Sequence, residues 1–413
     1  MNNKTFSDIT KRLNEIQKIE RLTDKEIQLL STPKKVNRAQ LEIKNKKLQA
    51  WRIVFNDALG PGKGGIRFHP GVSEDEVKSL AFWMMIKDSL AGLPYGGAKG
   101  GVKFNPKKAS SKELEIISRK FIDSFYKDLG QDKDIPAPDL YTNSQIMAWM
   151  LDEYEKKVGH HEPGMITGKP LELQGCALRA DATSRGGFII ITQLIKYLWG
   201  KKKKKPNFAV QGFGNAGSNL ALMLEKAGFK VVAASDSKSG VYDRKGLNIE
   251  KLIKDKSKTH RLDSNFRGEK ISNKQLLELP VDILILAALE NQITKENAHK
   301  IKAKYIIEIA NGPVTYEADK NLSSRGIKVV PDVLANSGGV IVSYFEWAQN
   351  RTGNILDKKY LEKLLEQKMI ASWNKVIGTY KEHKNKIDLR EAAYLIAIKR
   401  ILSAEKLRGN LNN

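Results

Sequence analysis

The chain has 413 residues, 41% of them hydrophobic, and a formal net charge of +24. This length and apolar content predict two or three globular domains and exclude a disordered tail. The single cysteine, Cys176, excludes an intramolecular disulfide framework and a cysteine-based zinc site, and it fits a reducing compartment. The sequence shows no apolar run of membrane-spanning length and no signal-type apolar core at its N-terminus, so we predict a cytoplasmic protein.

The positive charge is carried mainly by lysine. Of the 71 basic residues 16 are arginines, which leaves 55 lysines. Proteins that bind nucleic acids usually exploit the planar guanidinium of arginine, and the dense run Lys201–Lys205 has no interleaved aromatic residue. We therefore predict a solvated lysine-rich surface rather than a nucleic-acid interface.

The first 180 residues alternate helical and strand-like patterns. Residues 1–31 predict a charged amphipathic helical segment, and the apolar alternation from Leu41 to Asn56 predicts a strand. Ser73 and Glu76 form a capping-box pattern that predicts a helix to about residue 91, and further helices are predicted over 112–129 and 143–157. Three segments rich in glycine or proline are predicted to be loops: GPGKGG at 60–65, GGAKGG at 96–101 and DIPAPD at 134–139.

Beyond residue 180, predicted strands alternate with predicted helices, which indicates a parallel, doubly wound sheet. A helix is predicted over 183–199, and strands are predicted at 207–210, 230–234, 282–288, 305–310 and 328–330. The predicted fold class is therefore α/β. It comprises an α/β substrate-binding and oligomerisation domain at 1–180, a Rossmann-type dinucleotide domain at 181–345, and C-terminal helices at 346–413 that pack back toward the first domain.

A dinucleotide fingerprint lies between a predicted strand and a predicted helix. Gly212, Gly214 and Gly217 occupy the glycine positions of G-x-G-x-x-G, where they allow a tight turn and close approach of a pyrophosphate. Asp236 ends the next strand and would accept hydrogen bonds from the adenosine ribose. Its carboxylate repels a 2′-phosphate and so favours NAD, whereas Ser237 and Lys238, which follow it, could hold that phosphate and favour NADP, and the choice stays open. A purely structural glycine cluster is the alternative.

Three lysines occupy unusual positions. Lys87 lies on the apolar stripe of its predicted helix, and Lys63 and Lys99 are surrounded by glycines. A lysine in such surroundings favours an anion site, and clustered lysines lower one another's pKa toward that of a general base. Asp139, behind two prolines, is a candidate proton-transfer partner. Snorkelling and ordinary loop lysines are the alternatives, so these features alone indicate no more than a dehydrogenase for an anionic substrate.

From about Leu59 to Trp347 the sequence resembles the glutamate dehydrogenase family (Glu/Leu/Phe/Val dehydrogenases), in particular its short hexameric members. The resemblance is carried by seven blocks in the family's order: GPGKGGIRFHP, KDSLAGLPYGGAKGGV, IPAPDLYTNSQIMAWMLDEY, TGKPLEL, QGFGNAG, ANGPVTYEAD and LANSGGVIVSYFEW.

The resemblance implies roles for individual residues. Lys99 matches the catalytic lysine and Asp139 the aspartate that shuttles protons. Lys87 matches the lysine that binds the substrate α-carboxylate, and Lys63 the lysine that binds the glutamate γ-carboxylate. The remaining implied positions are Ser343 and Val340 in the side-chain pocket, and Thr183, Asn215 and Asn336 at the cofactor.

The implied reaction is the reversible oxidative deamination of L-glutamate to 2-oxoglutarate and ammonium with NAD or NADP, in a homohexamer. In relatives that act on leucine or phenylalanine, positions 63 and 343 are apolar. Lys63 and Ser343 therefore favour glutamate, because leucine would leave a buried charge unpaired. An amino-acid dehydrogenase of altered specificity and a non-catalytic nucleic-acid-binding paralogue are the alternatives.

Some positions depart from the family pattern. Ser184 replaces a glycine that the resemblance places beside the nicotinamide, Asn291–Gln292 replaces Gly-Ala, and Ile309 replaces a glycine. Too few residues follow Trp347 for the regulatory antenna of larger relatives, so we expect no such antenna. His160–His161 is predicted to lie in a surface loop, and no metal site is predicted.

Overall fold

The computed structural model describes residues 4–43, 46–200, 205–264, 266–384 and 386–411. The chain divides into two compact units. The first comprises Met1–Ala180, Val340–Leu364 and Tyr394–Asn413, and the second comprises Asp181–Gly339 and Leu365–Ala393. Most of the lysine run, positions 201–204, lies outside the described residues.

The first unit is built on five strands: β1 (Lys35–Ile43), β2 (Lys46–Asn56), β3 (Gly62–Phe68), β4 (Gly97–Val102) and β5 (Asp134–Pro138). They form one mixed sheet in the order β1–β2–β4–β3–β5. Strand β2 pairs antiparallel with β1 and β4, and β3 pairs parallel with β4 and β5. The stretch predicted as one strand from Leu41 to Asn56 thus belongs to two antiparallel strands.

Among the described residues, five α-helices accompany this sheet: α1 (Lys4–Glu20), α2 (Asp24–Ser31), α3 (Glu74–Leu90), α4 (Ser111–Phe125) and α5 (Ser144–Val158). Helix α3 begins where the sequence predicts, because the Ser73 side chain accepts a hydrogen bond from the Glu76 N–H. An apolar core that includes Ile66, Phe121 and Met147 packs α4 and α5 onto the sheet. This packing fixes the strands that carry the candidate site.

Most of each segment predicted to be a loop lies instead in strand β3, β4 or β5, so the loop prediction is wrong for those residues. Their glycines allow two strands to approach closely: a Cβ atom on Gly64 would lie 1.6 Å from the carbonyl oxygen of Ala98. The prolines of β5 are tolerated because β5 is the edge strand of the sheet. Lys63 and Lys99 therefore lie on buried strands rather than on loops.

The second unit contains seven strands: β6 (Asn207–Gln211), β7 (Lys230–Ser235), β8 (Gly240–Tyr242), β9 (Glu269–Ile271), β10 (Ile283–Leu286), β11 (Tyr305–Glu308) and β12 (Lys328–Val330). Their order is β12–β11–β10–β6–β7–β8–β9. The first five strands of this order pair in parallel, as predicted, and β8 and β9 add an antiparallel edge. The predicted α/β fold class is confirmed.

Six helices belong to this part of the chain: α6 (Ala182–Trp199), α7 (Asn215–Lys226), α8 (Ile249–Thr259), α9 (Asn273–Leu277), α10 (Tyr316–Ser324) and α11 (Asp332–Ala335). The C-terminal segment is helical, as predicted, in α12 (Gly338–Thr352), α13 (Lys358–Glu382) and α14 (Leu389–Leu407). Over the described ranges, no helix has the length and apolar character needed to cross a membrane.

Candidate active site and dinucleotide site

Buried Lys99 and half-buried Asp139 form an ion pair in the first unit. Lys99 Nζ lies 2.9 Å from Asp139 Oδ2, and Arg67 Nε lies 3.1 Å from the same oxygen. Burial lowers the pKa of Lys99, and the charge of Asp139 opposes this only in part. Burial alone would raise the pKa of Asp139, but Lys99 and Arg67 hold it below its usual range. The arrangement pairs an ionised carboxylate with a lysine that releases its proton more readily than usual.

Lys87 lies in the last turn of α3 and is buried, as its place on the apolar stripe predicts. Its charge contributes to the lowered pKa of Lys99, so the two ammonium groups are electrostatic neighbours. The next residue, Asp88, is fully buried, and neither of its carboxylate oxygens has a hydrogen-bond partner among the described residues. Burial raises the pKa of Asp88 well above its ordinary value, and sequence reasoning did not single out this acid.

A second cationic cluster surrounds Lys63, which lies on β3 and is 1% exposed. Burial, together with the charge of Arg179, lowers the pKa of Lys63 to about 7. Arg179 Nη1 donates a hydrogen bond to Ser343 Oγ at 2.8 Å. Val340 is buried three residues before Ser343, on the same face of α12. The cluster is suited to an anion, because a carboxylate would stabilise both cations.

Sequence reasoning missed Arg179. Its hydroxyl partner is 164 positions away in the chain, and no local periodicity or glycine context marks it as unusual. Only the fold brings Arg179 beside the predicted residues Lys63 and Ser343.

Two buried ion pairs hold these strands and loops in place. Arg52 Nε donates to Asp134 Oδ2 at 2.7 Å, and its Nη1 donates to the Gly64 carbonyl at 2.9 Å, which fixes the backbone beside Lys63. Lys169 Nζ lies 2.8 Å from Glu346 Oε1, so the segment that leads to Arg179 is tied to α12. These pairs support the site without belonging to it.

The dinucleotide fingerprint of the second unit has the required local geometry. Gly212 has a φ of 92°, and a Cβ atom on Gly217 would lie 1.9 Å from the Gly212 carbonyl oxygen, so both positions need glycine for the backbone itself. At Gly214, by contrast, a Cβ atom would meet no described atom within 4 Å. This space, at the N-terminus of α7 where Asn215 is exposed, fits a pyrophosphate.

Asp236 follows β7 and is half-buried, as expected for a ribose-binding carboxylate. Its Oδ1 accepts the N–H groups of Lys238 at 2.8 Å and Ser239 at 3.0 Å, and its Oδ2 lies 3.1 Å from Lys256 Nζ. Lys256 Nζ also donates to the Phe213 carbonyl at 2.8 Å. Burial alone would raise the pKa of Asp236, but these partners keep it lowered. Sequence reasoning missed Lys256.

The other predicted cofactor residues frame the end of the sheet. Thr183 lies in the first turn of α6, and the following Ser184 donates its hydroxyl to the Ala216 carbonyl at 3.0 Å. Asn336 donates its amide to the side chain of Asn311 at 3.0 Å. The Asn336 Oδ1 atom is buried and has no hydrogen-bond partner among the described residues. A buried acceptor of this kind fits a ligand amide, so the residues present fit a nicotinamide dinucleotide.

The two adjacent histidines lie at an exposed turn. His161 Nδ1 lies 2.8 Å from Glu155 Oε2, and His160 Nε2 lies 3.3 Å from Glu162 Oε2. Among the residues that the structure describes, no group of three or more histidine, cysteine or acidic side chains is placed to hold a metal ion.

A mixed-sheet unit with a lysine–aspartate pair, together with a Rossmann-type unit, defines a two-domain dinucleotide-dependent dehydrogenase. Residues 33–156 match the Glu/Leu/Phe/Val dehydrogenase dimerisation domain, and residues 175–409 match the Glutamate/Leucine/Phenylalanine/Valine dehydrogenase domain. The chain belongs to the Glu/Leu/Phe/Val dehydrogenase family.

Its relatives include several glutamate dehydrogenases. The chain is 47% identical to a glutamate dehydrogenase of Aeropyrum pernix over 92% of its own length and 93% of the relative's. It is 47% identical to a cryptic catabolic NAD-specific glutamate dehydrogenase of Bacillus subtilis, over 87% of this chain and 84% of the relative. The crystal structure of a hetero-hexameric glutamate dehydrogenase from Thermus thermophilus, in a leucine-bound form, superimposes with a TM-score of 0.92. That structure is 31% identical and covers 99% of this chain and 98% of its own.

Proposed function

We propose that this protein is a glutamate dehydrogenase, which converts L-glutamate reversibly to 2-oxoglutarate and ammonium with hydride transfer to NAD or NADP. The observation that carries the proposal is the cluster of buried Lys63, half-buried Arg179 and buried Ser343, two cations and a hydroxyl. A leucine side chain in this pocket would place an apolar group against these two charges and supply them with no acceptor. The side-chain carboxylate of glutamate satisfies them.

In this mechanism the substrate is held by both of its carboxylates. Lys87 binds the α-carboxylate, and Lys63, Arg179 and Ser343 bind the side-chain carboxylate. The nicotinamide, when bound, supplies a hydride acceptor for the substrate Cα. Lys99 then acts as the general base that activates water for attack on the oxidised substrate, because its lowered pKa makes the neutral amine more accessible than in an ordinary lysine.

Asp139 completes the proton transfer. Its carboxylate, 2.9 Å from Lys99 Nζ, passes protons to and from the substrate nitrogen as ammonium leaves. Burial of Lys99 and the low exposure of Asp139 limit the access of bulk water.

For the cofactor we assign the pyrophosphate to the loop of Gly212, Gly214 and Gly217, opened by Asn215. The adenosine ribose is assigned to Asp236, and the nicotinamide end to the remaining predicted positions, Thr183 and Asn336. The Asp236 carboxylate and the NAD specificity of the Bacillus subtilis relative support NAD over NADP.

We further propose a cytoplasmic homohexamer whose partners are small molecules. The family match to a dimerisation domain and the hexameric state of the Thermus thermophilus relative support oligomerisation. Substrate binding and oligomerisation are assigned to residues 1–180, dinucleotide binding to 181–345, and the C-terminal helices to 346–413.

The test is oxidation of L-glutamate and L-leucine with NAD and NADP separately, followed by absorbance of the reduced nicotinamide. We expect turnover of glutamate, and we expect Lys63→Met to raise KM for glutamate about 100-fold through the loss of charge-assisted hydrogen bonds. Lys78→Met, at a lysine that pairs with Glu74 on the outer face of α3, is the matched control. Leucine turnover above that of glutamate, or no turnover by folded protein with either cofactor, would refute the proposal.

A further inference from the structure

Arg390 lies in the first turn of α14 and is buried with three carboxylates of the second unit. Its Nη2 lies 2.7 Å from Glu308 Oε1 and its Nη1 lies 2.9 Å from Oε2, a bidentate contact. Its Nε lies 2.7 Å from Asp319 Oδ2, and Nη1 lies 3.4 Å from Asp332 Oδ1. The proposed mechanism uses none of these four side chains.

Two of the three carboxylates lie at the start of the segments that carry Asn336, a candidate nicotinamide residue, and its hydrogen-bond partner Asn311. Glu308 ends β11, three positions before Asn311, and Asp332 begins α11, four positions before Asn336. The two segments are also joined directly. Glu308 Oε2 accepts the Asp332 N–H at 2.9 Å, and Asp332 Oδ2 accepts the Gly312 N–H at 2.9 Å.

The end of this network is the Asn336 side chain. Its amide group donates to the Ile309 carbonyl at 3.1 Å and to Asn311 Oδ1 at 3.0 Å, so both donors are engaged by the segment that follows Glu308. The orientation of the amide is thereby fixed. Its buried Oδ1 has no hydrogen-bond partner among the described residues and is left for a ligand. A shift of either segment would turn this acceptor away from its ligand.

We propose that Arg390 is a positioning residue for the nicotinamide end of the dinucleotide site. It holds Glu308 and Asp332 together and so sets the relative position of the segments that carry Asn311 and Asn336. The planar guanidinium suits this task, because one group contacts three carboxylates in fixed directions. Lysine keeps the charge but loses this geometry. The inference rests on the proposed dinucleotide dependence.

The test measures the affinity of the full-length protein for NADH and for ADP-ribose, which lacks the nicotinamide, by isothermal titration calorimetry. NADPH and 2′-phospho-ADP-ribose replace them if wild type prefers NADPH. We expect Arg390→Lys to weaken NADH binding about 10-fold, the equivalent of about one hydrogen bond. The affinity for ADP-ribose should stay within about twofold of the wild-type value. Glu308→Gln weakens the same contact with a smaller change of shape. If Arg390→Lys fails to fold, Glu308→Gln must weaken NADH binding and leave ADP-ribose binding nearly unchanged.

Two variants serve as controls. Asp319→Asn removes an Arg390 partner that lies on α10, outside the two segments, and Arg325→Lys alters an arginine that binds the carbonyls of Ala298 and Ile301 in the same unit. Both should leave the ratio of the two affinities unchanged.

Equal weakening of NADH and ADP-ribose by Arg390→Lys would show a general structural role and overturn the inference, as would unchanged affinity for both. Wild-type protein that binds neither ligand would instead refute the dinucleotide dependence itself, and with it the role of Arg390. The two failures are therefore distinguishable.

Discussion

Arg67 lies beside the proposed acid–base pair without taking part in the chemistry. It contacts Asp139 at 3.1 Å and Glu76 at 2.6 Å, and its charge contributes to the lowered pKa of Lys99. Arg67→Met should therefore raise the pKa of Lys99. Because the general base is the neutral amine, the rise of kcat with pH should move to higher pH. The measurement is kcat at saturating glutamate and cofactor across the pH range.

The control for this experiment is Arg38→Met, at an arginine that pairs with Glu74 on an exposed surface. Its pH profile should match wild type. A profile of Arg67→Met that is unshifted, or shifted to lower pH, would contradict the assignment of Lys99 as the base.

The buried lysines of the site can be predicted from the sequence, but not all of their partners can. Lys63, Lys87 and Lys99 are conspicuous because a charged residue among glycines or on an apolar stripe conflicts with its surroundings. Arg179 and Lys256 carry no such mark, since their partners are distant in the chain or are backbone carbonyls. The folded chain alone brings these groups into contact.

The glycines of the fingerprint loop allow a prediction for a whole element. A Cβ atom at Gly217 would collide with the Gly212 carbonyl, whereas at Gly214 it would enter open space within the described structure. Gly217→Ala should therefore destabilise the protein by about 2 kcal/mol or more, whatever ligand is present. Gly214→Ala should leave the unfolding midpoint unchanged and weaken dinucleotide binding about 10-fold or more, because the methyl group occupies the pyrophosphate space.

Thermal unfolding of the free protein and titration with the dinucleotide separate these two effects. Gly378→Ala, in a helix where a Cβ atom meets no described atom within 4 Å, is the control and should stabilise slightly. Normal dinucleotide affinity in Gly214→Ala would contradict the assigned pyrophosphate position.

The same property of glycine explains why the sequence predicts loops where the structure has three strands. Glycine and proline usually mark turns, and the segments of β3, β4 and β5 are rich in one or the other. In this sheet the glycines serve the close approach of neighbouring strands, as at Gly64 against Ala98, and the prolines lie at the edge. Local composition does not distinguish these uses, because the deciding contact is with another strand.

For the whole molecule, the alternation of strands and helices was sufficient to predict the doubly wound sheet of the second unit. It was not sufficient to predict the buried charges that hold that unit together. Arg390 and its carboxylates come from four separate segments, and each looks in sequence like an ordinary surface charge. This network makes the stability of the molecule depend on pH.

Within this network, the titration of Glu308 makes the largest contribution to the pH dependence of stability that we can predict. Burial, opposed by Arg390, raises its pKa from 4.5 to about 7. The folded protein therefore holds a proton that the unfolded chain loses above pH 4.5, and the associated stability, complete below pH 4.5, is lost as pH rises through 7. Glutamine does not titrate, so Glu308→Gln should gain stability relative to wild type between these values, by up to about 3 kcal/mol at 1.36 kcal/mol per pH unit.

The measurement is the difference in urea unfolding midpoint between Glu308→Gln and wild type, taken at pH 5 and at pH 8. The midpoint of the variant minus that of wild type should be more positive at pH 8 than at pH 5. This holds even if the lost contact with Arg390 lowers the stability of the variant at both pH values. Glu366→Gln, at an exposed position of α13, should show the same difference at both pH values. An equally constant difference for Glu308→Gln would mean that Glu308 is ionised throughout.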